Sequence, residues 1–245
     1  MASNRHLGRI IVLQSLYEWE FRTKAGDKSV DLDSIVAKNI EPYAKALGDV
    51  EFVHELANGV LNEAEALDKE LQPMAPEWPI ASIASIDRNV LRIGLFELTR
   101  RADKVPPKVA INEAVELAKA AGCIISLDMA SYNVVESNDA FLHDIVENYV
   151  DIVFANETEA KAFTNLEPRE ALDEIARHCA IAVVKVGKDG SMVKSGDEYH
   201  FIEAWPANPV DATGAGDTYA AGFLYAHSLG MPLRVCGEIG SIIAA

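Results

Sequence analysis

The stretch NEAVELAKAAGCIISLD, Asn112 to Asp128, decides how the whole chain is read. NEAVELAK is an amphipathic helix and Gly122 is a natural place for it to end, because glycine accepts the left-handed backbone of a helix C-terminus. CIISLD follows with no linker. It is a short continuous apolar run, as expected of a parallel strand covered on both faces. A helical grammar therefore changes into an α/β grammar within a few residues, and the two sides require separate readings.

To the left, residues 1–120 read as helix after helix. In LGRIIVLQSLYEWEF the apolar residues Leu7, Ile10, Ile11, Leu13, Leu16, Tyr17 and Phe21 recur at three- and four-residue steps, the helical period. The spacing predicts a weaker helix from about Ser34 to Leu47 and a longer one from Asp49 to Leu71. Pro73, Pro76 and Pro79 punctuate the chain, and DRNVLRIGLFELTRR is apolar on most of its circumference, as expected in the middle of a bundle. After VPP, prolines open the helix that runs to Gly122, at positions where a missing N–H costs nothing. No strand is expected in this half.

To the right, apolar runs alternate with helical stretches. Ser137 is a candidate cap for a helix carrying Phe141, Leu142, Ile145, Val146 and Tyr149. VDIVFAN and IAVVKVG read as buried strands, with ETEAKAFTN and EPREALDEIARHC as helices between them. SMVKSGDEYHFI reads as a hairpin across Gly196-Asp197, and DATGAGDTYAAGFLYAHSLG as a glycine-rich loop opening a helix. Alternation of this kind means a parallel α/β sheet. The expected fold is an all-α helical bundle over 1–120 followed by a partial α/β unit over 121–245.

Of the 245 residues, 49% are hydrophobic and 24% charged, an ordinary globular composition. No run approaches the length of a membrane span and MASNRHLGR has no signal-peptide core, so a cytoplasmic location is expected. Cys123, Cys179 and Cys236 have no metal-finger spacing and read as structural thiols. The net charge of −16 argues against a broad phosphate-binding surface. It is unevenly spread, −4 over residues 1–120 and −12 over the rest, so any polyanion contact belongs to the first part.

NRHLGRIIVLQSLYEWEF, APEWP, IDRNVLRIGLFEL and VPPKVAINEAVELAK together resemble, over about residues 4–119, the NusB family of transcription antitermination factors. The resemblance implies a small helical bundle that binds boxA-like RNA together with a ribosomal-protein partner, NusE. Carried over by position, the RNA contacts would be Arg5, His6 and Arg9, with Gln14 and Tyr17 further along the helix. Basic side chains three and four apart share a helix face and can track a phosphate backbone, and a tyrosine can stack on an unpaired base. On residue types alone, Arg5 and Arg9 are equally a solvated helix end, and Tyr17 a core residue. The N-terminus is thinner in arginine than the family pattern. AAGCIISLD stands where that family has a further helical segment.

DATGAGDTYAAGF, flanked by SLDMASYN, DIVFANETEA and VVKVGKDG, is similar to the PfkB family of sugar and nucleoside kinases of the ribokinase and adenosine kinase type, over about residues 121–245. The resemblance implies ATP and Mg²⁺ as cofactors and Asp217 as the general base. Gly214, Ala215 and Gly216 would form an anion hole. Asn156 and Glu159 would organise the Mg²⁺ through its waters, and Lys185, Gly187 and Gly190 would lie along the nucleotide. Small residues at a helix N-terminus let backbone N–H groups approach a phosphate closely. Asp211 to Asp217 is also readable as a plain glycine-rich turn, and Asn156 with Glu159 as a capping box that needs no metal.

The family's first strands, lid and acceptor-gripping residues would precede CIISLD, where this chain has the helical stretch; the family continues past SIIAA to complete an adenine pocket. Kinase turnover at or near background is therefore expected. Three readings follow: an antitermination factor carrying a partial kinase domain, an ATP-dependent sugar or nucleoside kinase, or a gene chimera with no selected activity.

Overall fold

The computed structural model describes residues 4–74, 76, 79–206 and 214–245. The chain divides into two compact units, Met1–Cys123 and Ile124–Ala245.

The first unit contains α1 (Asn4–Lys24), α2 (Leu32–Ile40), α3 (Val50–Asn62), α4 (Ala64–Leu71), α5 (Ser85–Arg100) and α6 (Pro107–Ala120). Helix α1 packs against α2, α3, α5 and α6. It buries Ile11, Val12, Leu13 and Leu16, each fully buried aliphatic side chain contributing about 1.5–3 kcal/mol. Asp31 and Asp49 cap α2 and α3 by accepting from the amides of Ser34 and Phe52. Arg88 of α5, 4% exposed, ties down the preceding segment by donating to the carbonyls of Ile80, Ala81 and Ile83, and its guanidinium also meets the Glu20 carboxylate.

Three expectations change here. The single helix anticipated from Asp49 to Leu71 is two, broken at Glu63, whose φ of −103° and ψ of 8° interrupt the helical run. Tyr17 and Phe21 do not enter the core; they are 41% and 64% exposed and their rings stack at 6.4 Å between centroids. Helix α5 is not buried all round, since Leu91 is 42% exposed and α1 takes the central place. Helix α6 closes as its sequence suggests: Gly122 has φ 80°, and the Gly122 and Cys123 amides donate to the carbonyls of Lys119 and Ala118.

The second unit contains β1 (Ser126–Asp128), α7 (Tyr132–Ser137), α8 (Asp139–Asn148), β2 (Ile152–Asn156), α9 (Glu157–Thr164), α10 (Pro168–Ile175), β3 (Ile181–Lys185), β4 (Ser191–Ser195), β5 (Glu198–Ile202), α11 (Ala215–Ser228) and α12 (Leu233–Ile243). The sheet order is β1-β2-β3-β4-β5. The first three strands are parallel and the last two antiparallel, so the sheet is mixed rather than parallel throughout. The cause is the Gly196-Asp197 hairpin, which returns β5 beside β4. Alternation along each strand builds a core on both faces. Val153, Ala155, Ala182 and Val184 pack with α8, α9 and α10, while Ile152, Phe154, Ile181 and Val183 pack with α11 and α12.

Ser137 is not a helix cap. It ends α7, which Ser131 caps by accepting from the Val134 amide, and Asn138 takes the cap position of α8. CIISLD is strand only over its last three residues, although the Ile125 carbonyl already accepts from the amides of Asp151 and Ile152. Among the described residues, no helix is long and apolar enough to cross a membrane.

Candidate functional sites in the two units

In the second unit, the C-terminal ends of the three parallel strands lie in register and place Asp128, Asn156 and Lys185 together. This is where open α/β sheets present ligand sites. A cavity of about 770 Å³ opens there. It is lined by Asn156, Glu159, Lys185, Gly187 and Gly190, and by Gly214, Ala215, Gly216 and Asp217. All nine kinase-type positions anticipated from sequence are thus gathered in one concavity. Asp211 lies outside the described residues.

The cavity floor follows from local chemistry. Gly214 has φ 80°, a conformation glycine adopts without strain, and turns the chain into α11. The α11 ladder begins with the Thr218 amide donating to Gly214; the amides of the first turn precede it, as at every helix start. With the helix dipole they favour an anion. Asp217 is exposed in that first turn. Gly190 has φ 111°, and a Cβ there would stand 2.0 Å from the Ile202 carbonyl oxygen, so only glycine lets the two backbones meet.

Asn156 and Glu159 form a capping box. The Asn156 side-chain oxygen accepts from the Thr158 and Glu159 amides at 2.9 Å each, and Glu159 accepts from the Asn156 amide at 2.8 Å and its side-chain amide at 2.7 Å. Each Glu159 oxygen already has a donor, yet both residues border the cavity. This donor set fits a hydrated divalent cation held through its waters, with the remaining lone pairs as acceptors, and does not fit an all-protein cage.

Sequence reasoning assigned no role to Asp128. Its Oδ2 accepts from Lys185 Nζ at 2.8 Å and its Oδ1 from the Ala130 amide at 3.1 Å, across a turn where Ala130 has φ 61°. The signal was present in SLDMASYN: an aspartate closing a parallel strand. Lys188, Trp205 and Tyr219 also line the cavity and were not singled out. Tyr219 is buried, shares a 2.7 Å hydrogen bond with Ser191, and burial, only partly offset by that bond, pushes its phenol up to about 12.

In the first unit the expected basic face is only partly present. Arg5 is exposed, its guanidinium 5.4 Å from the Phe52 ring centroid and 3.8 Å from Asp49. Arg9 is not a surface cation. It is 2% exposed and donates to both Glu97 oxygens, with Glu113 at 3.1 Å. His6 is 7% exposed and its Nδ1 lies 3.1 Å from Glu113 and 3.3 Å from Glu116. The physical reason is position: at 100° per residue, His6 and Arg9 fall on the buried arc of α1 with Leu13 and Leu16. Gln14 and Tyr17 are exposed, but Gln14 lies nine residues beyond Arg5, about two and a half turns, on the opposite side of the helix. Arg5 instead borders a shallow concavity of about 450 Å³ with Asn4, Lys104, Pro106 and Val109. Of APEWP, Ala75, Glu77 and Trp78 lie outside the described residues.

The geometry defines two classes within one chain: a helical bundle with a basic-rimmed concavity, and a phosphate-binding α/β sheet. The chain belongs to the pfkB family of carbohydrate kinases, whose family model matches residues 20–245, and equally to the family of the transcription antitermination protein NusB, at 40% identity over 122 residues.

That NusB relative, from Dehalococcoides mccartyi, is matched over 50% of this chain and 80% of its own length; another from Desulfitobacterium hafniense is 33% identical over 150 residues, 61% of this chain and 90% of its own. Among solved structures, a probable sugar kinase from Rhizobium etli superposes with TM-score 0.54 at 34% identity, over 58% of this chain and 44% of that one. Adenosine kinase from Sinorhizobium meliloti gives 0.53 at 36%, over 56% and 43%. A ribokinase-type protein from E. coli, solved with ATP and Mg²⁺, gives 0.52 at 25%, over 57% and 46%. The chain therefore spans less than half the length of the solved kinases it matches.

Proposed function

We propose that the protein acts as an antitermination factor of the NusB type, its helical unit binding boxA-like RNA with a NusE partner while the α/β unit carries a partial kinase site. The observation that carries this reading is Arg5, exposed beside Lys104 at the rim of the concavity between the start of α1 and the α5–α6 turn. Two flexible cations flanking an apolar hollow suit a phosphate backbone whose bases turn inward. The exposed Tyr17 ring, stacked on Phe21, offers a separate platform on the other side of α1. Titration of a labelled boxA-like RNA tests this. Affinity should fall as salt rises from 50 to 200 mM and fall again in Arg5→Ala. A salt-independent signal, indifferent to Arg5, would remove the reading.

A second reading has its own observation, the assembly of Lys185, the Gly214–Asp217 turn and the Asn156–Glu159 box around one cavity. It makes the α/β unit a binder of ATP and hydrated Mg²⁺, and Asp217 the base for transfer to a sugar or nucleoside hydroxyl. Phosphoryl transfer depends on positioning and charge stabilisation, which this corner supplies for the phosphate. We place its turnover near background. ATP-dependent phosphorylation of a sugar or nucleoside panel that is lost in Asp217→Asn would make the kinase the principal function instead. A gene-level chimera is the remaining alternative; failure to amplify one continuous product across codons 110–130 from source DNA would establish it.

A further inference from the structure

The cavity of the α/β unit holds one relationship that the kinase reading does not need. Lys185, at the end of β3, leans over the first turn of α11: a Cβ built on Gly216 would stand 3.0 Å from its Nζ. The ammonium thus lies against the backbone where an anion at this helix start would sit. It is already engaged, with Asp128 Oδ2 at 2.8 Å. The two side chains are 15% and 29% exposed, shielded enough for the pair to matter and open enough for a ligand to reach it.

Asp128 is also held independently of Lys185. Its other oxygen accepts from the Ala130 amide, which fixes the carboxylate at the strand end. The remaining charges lining the cavity are Lys188, Glu159 and Asp217. Glu159 is occupied by the Asn156 cap, and among the described residues the printed ion pair between these cavity groups is that of Lys185 with Asp128. A phosphate arriving at the α11 turn meets a lysine neutralised by a rigidly placed carboxylate, and the two anions compete for one cation.

We propose that Asp128 is a built-in competitor for the phosphate site: it holds Lys185 as a counter-ion, and a nucleotide phosphate binds by taking the lysine from it. Asp128 is a positioning residue in this scheme. It sets the affinity of the site for polyanions and does not touch the reacting atoms. The exchange makes the site selective for ligands that carry enough negative charge to displace a carboxylate, such as a nucleoside triphosphate, over weakly charged ones.

The inference rests on the nucleotide reading of this cavity, and its test separates the two. ATP is titrated into the full chain by calorimetry, without divalent cation, for wild type, Asp128→Asn, Lys185→Met and the double variant. Asparagine keeps an oxygen for the Ala130 amide, so the turn is retained. Asp128→Asn should bind ATP roughly threefold or more tightly than wild type. Lys185→Met should lose about tenfold to a hundredfold. The double variant should match Lys185→Met alone, because Asp128 acts only through the lysine. A tightening that persists in the Lys185→Met background would be a general field effect and would overturn the exchange. Wild-type binding that Asp128→Asn weakens or leaves unchanged would also overturn it, with the nucleotide reading intact. Binding by neither wild type nor Asp128→Asn, with unchanged far-UV circular dichroism, would remove the nucleotide reading and this inference together.

Discussion

The guanidinium of Arg9 donates from Nε to one oxygen of Glu97 at 2.7 Å and from Nη2 to the other at 2.8 Å, with the two side chains 3% and 1% exposed. The pair bridges α1 and α5 inside the bundle. Removing one partner strands a buried charge, which costs about 3–5 kcal/mol. Arg9→Ala should therefore lower the thermal midpoint of the bundle markedly, followed by far-UV circular dichroism. Glu97→Ala should do the same. An Arg9→Ala variant as stable as wild type would contradict the buried pairing.

Arg5 should behave in the opposite way. Its side chain is 56% exposed and its contact with Asp49, at 3.8 Å, is a surface pair. Such pairs contribute little, so Arg5→Ala should shift stability by less than about 0.5 kcal/mol. Any loss of RNA affinity in this variant then reports on binding. The same loss in Arg9→Ala would report on folding, and the two variants should be separable by melting curves alone.

Glu20 predicts an acid limb in stability. Burial alone would raise its carboxyl, but hydrogen bonds from Lys24, Ser85 and Asn89 and the charge of Arg88 prevail and hold it down to about 2. The folded value lies below that of an unfolded glutamate, about 4.3. The stabilisation is thus complete at neutral pH and is lost as pH falls from the unfolded value towards 2. Glu20→Gln should be clearly less stable than wild type at pH 7, and the gap should narrow by pH 3. A gap that stays constant across this range would rule out the linkage.

Gly190→Ala should damage the α/β unit. The residue has φ 111°, and the added carbon would stand 2.0 Å from the Ile202 oxygen. Strain and clash together should cost more than about 2 kcal/mol, with loss of whatever the cavity binds. Gly196→Ala, with φ 54° and nothing within 4 Å of a built Cβ, should cost less. Urea titration of both variants gives the comparison, and equal midpoints would refute it.

Legibility in the sequence followed the range of the forces. The Asn156–Glu159 box, the Gly196-Asp197 hairpin and the Gly122 helix end depend on neighbours within a few residues, and all are where local rules place them. The break at Glu63 has no glycine or proline to announce it. Ser137 was a plausible cap that lost to Asn138 one residue on. Arg9 was misjudged because its partner is 88 residues away, and nothing in NRHLGR distinguishes a surface arginine from one that meets Glu97. Asp128 escaped for a similar reason: its partner Lys185 comes from a strand 57 residues later.

The closure of α6 at Gly122 has a consequence for how such a chain can arise. Its last carbonyls are met by the amides of Gly122 and Cys123, within the turn itself. A helix terminated this way asks nothing of the residues downstream. A break in the coding sequence just beyond it can be rejoined to foreign DNA without exposing a single unmet peptide group on the helix side. Joints of this kind are permissive splice points, where gene rearrangement is tolerated because the backbone chemistry on one side is already complete.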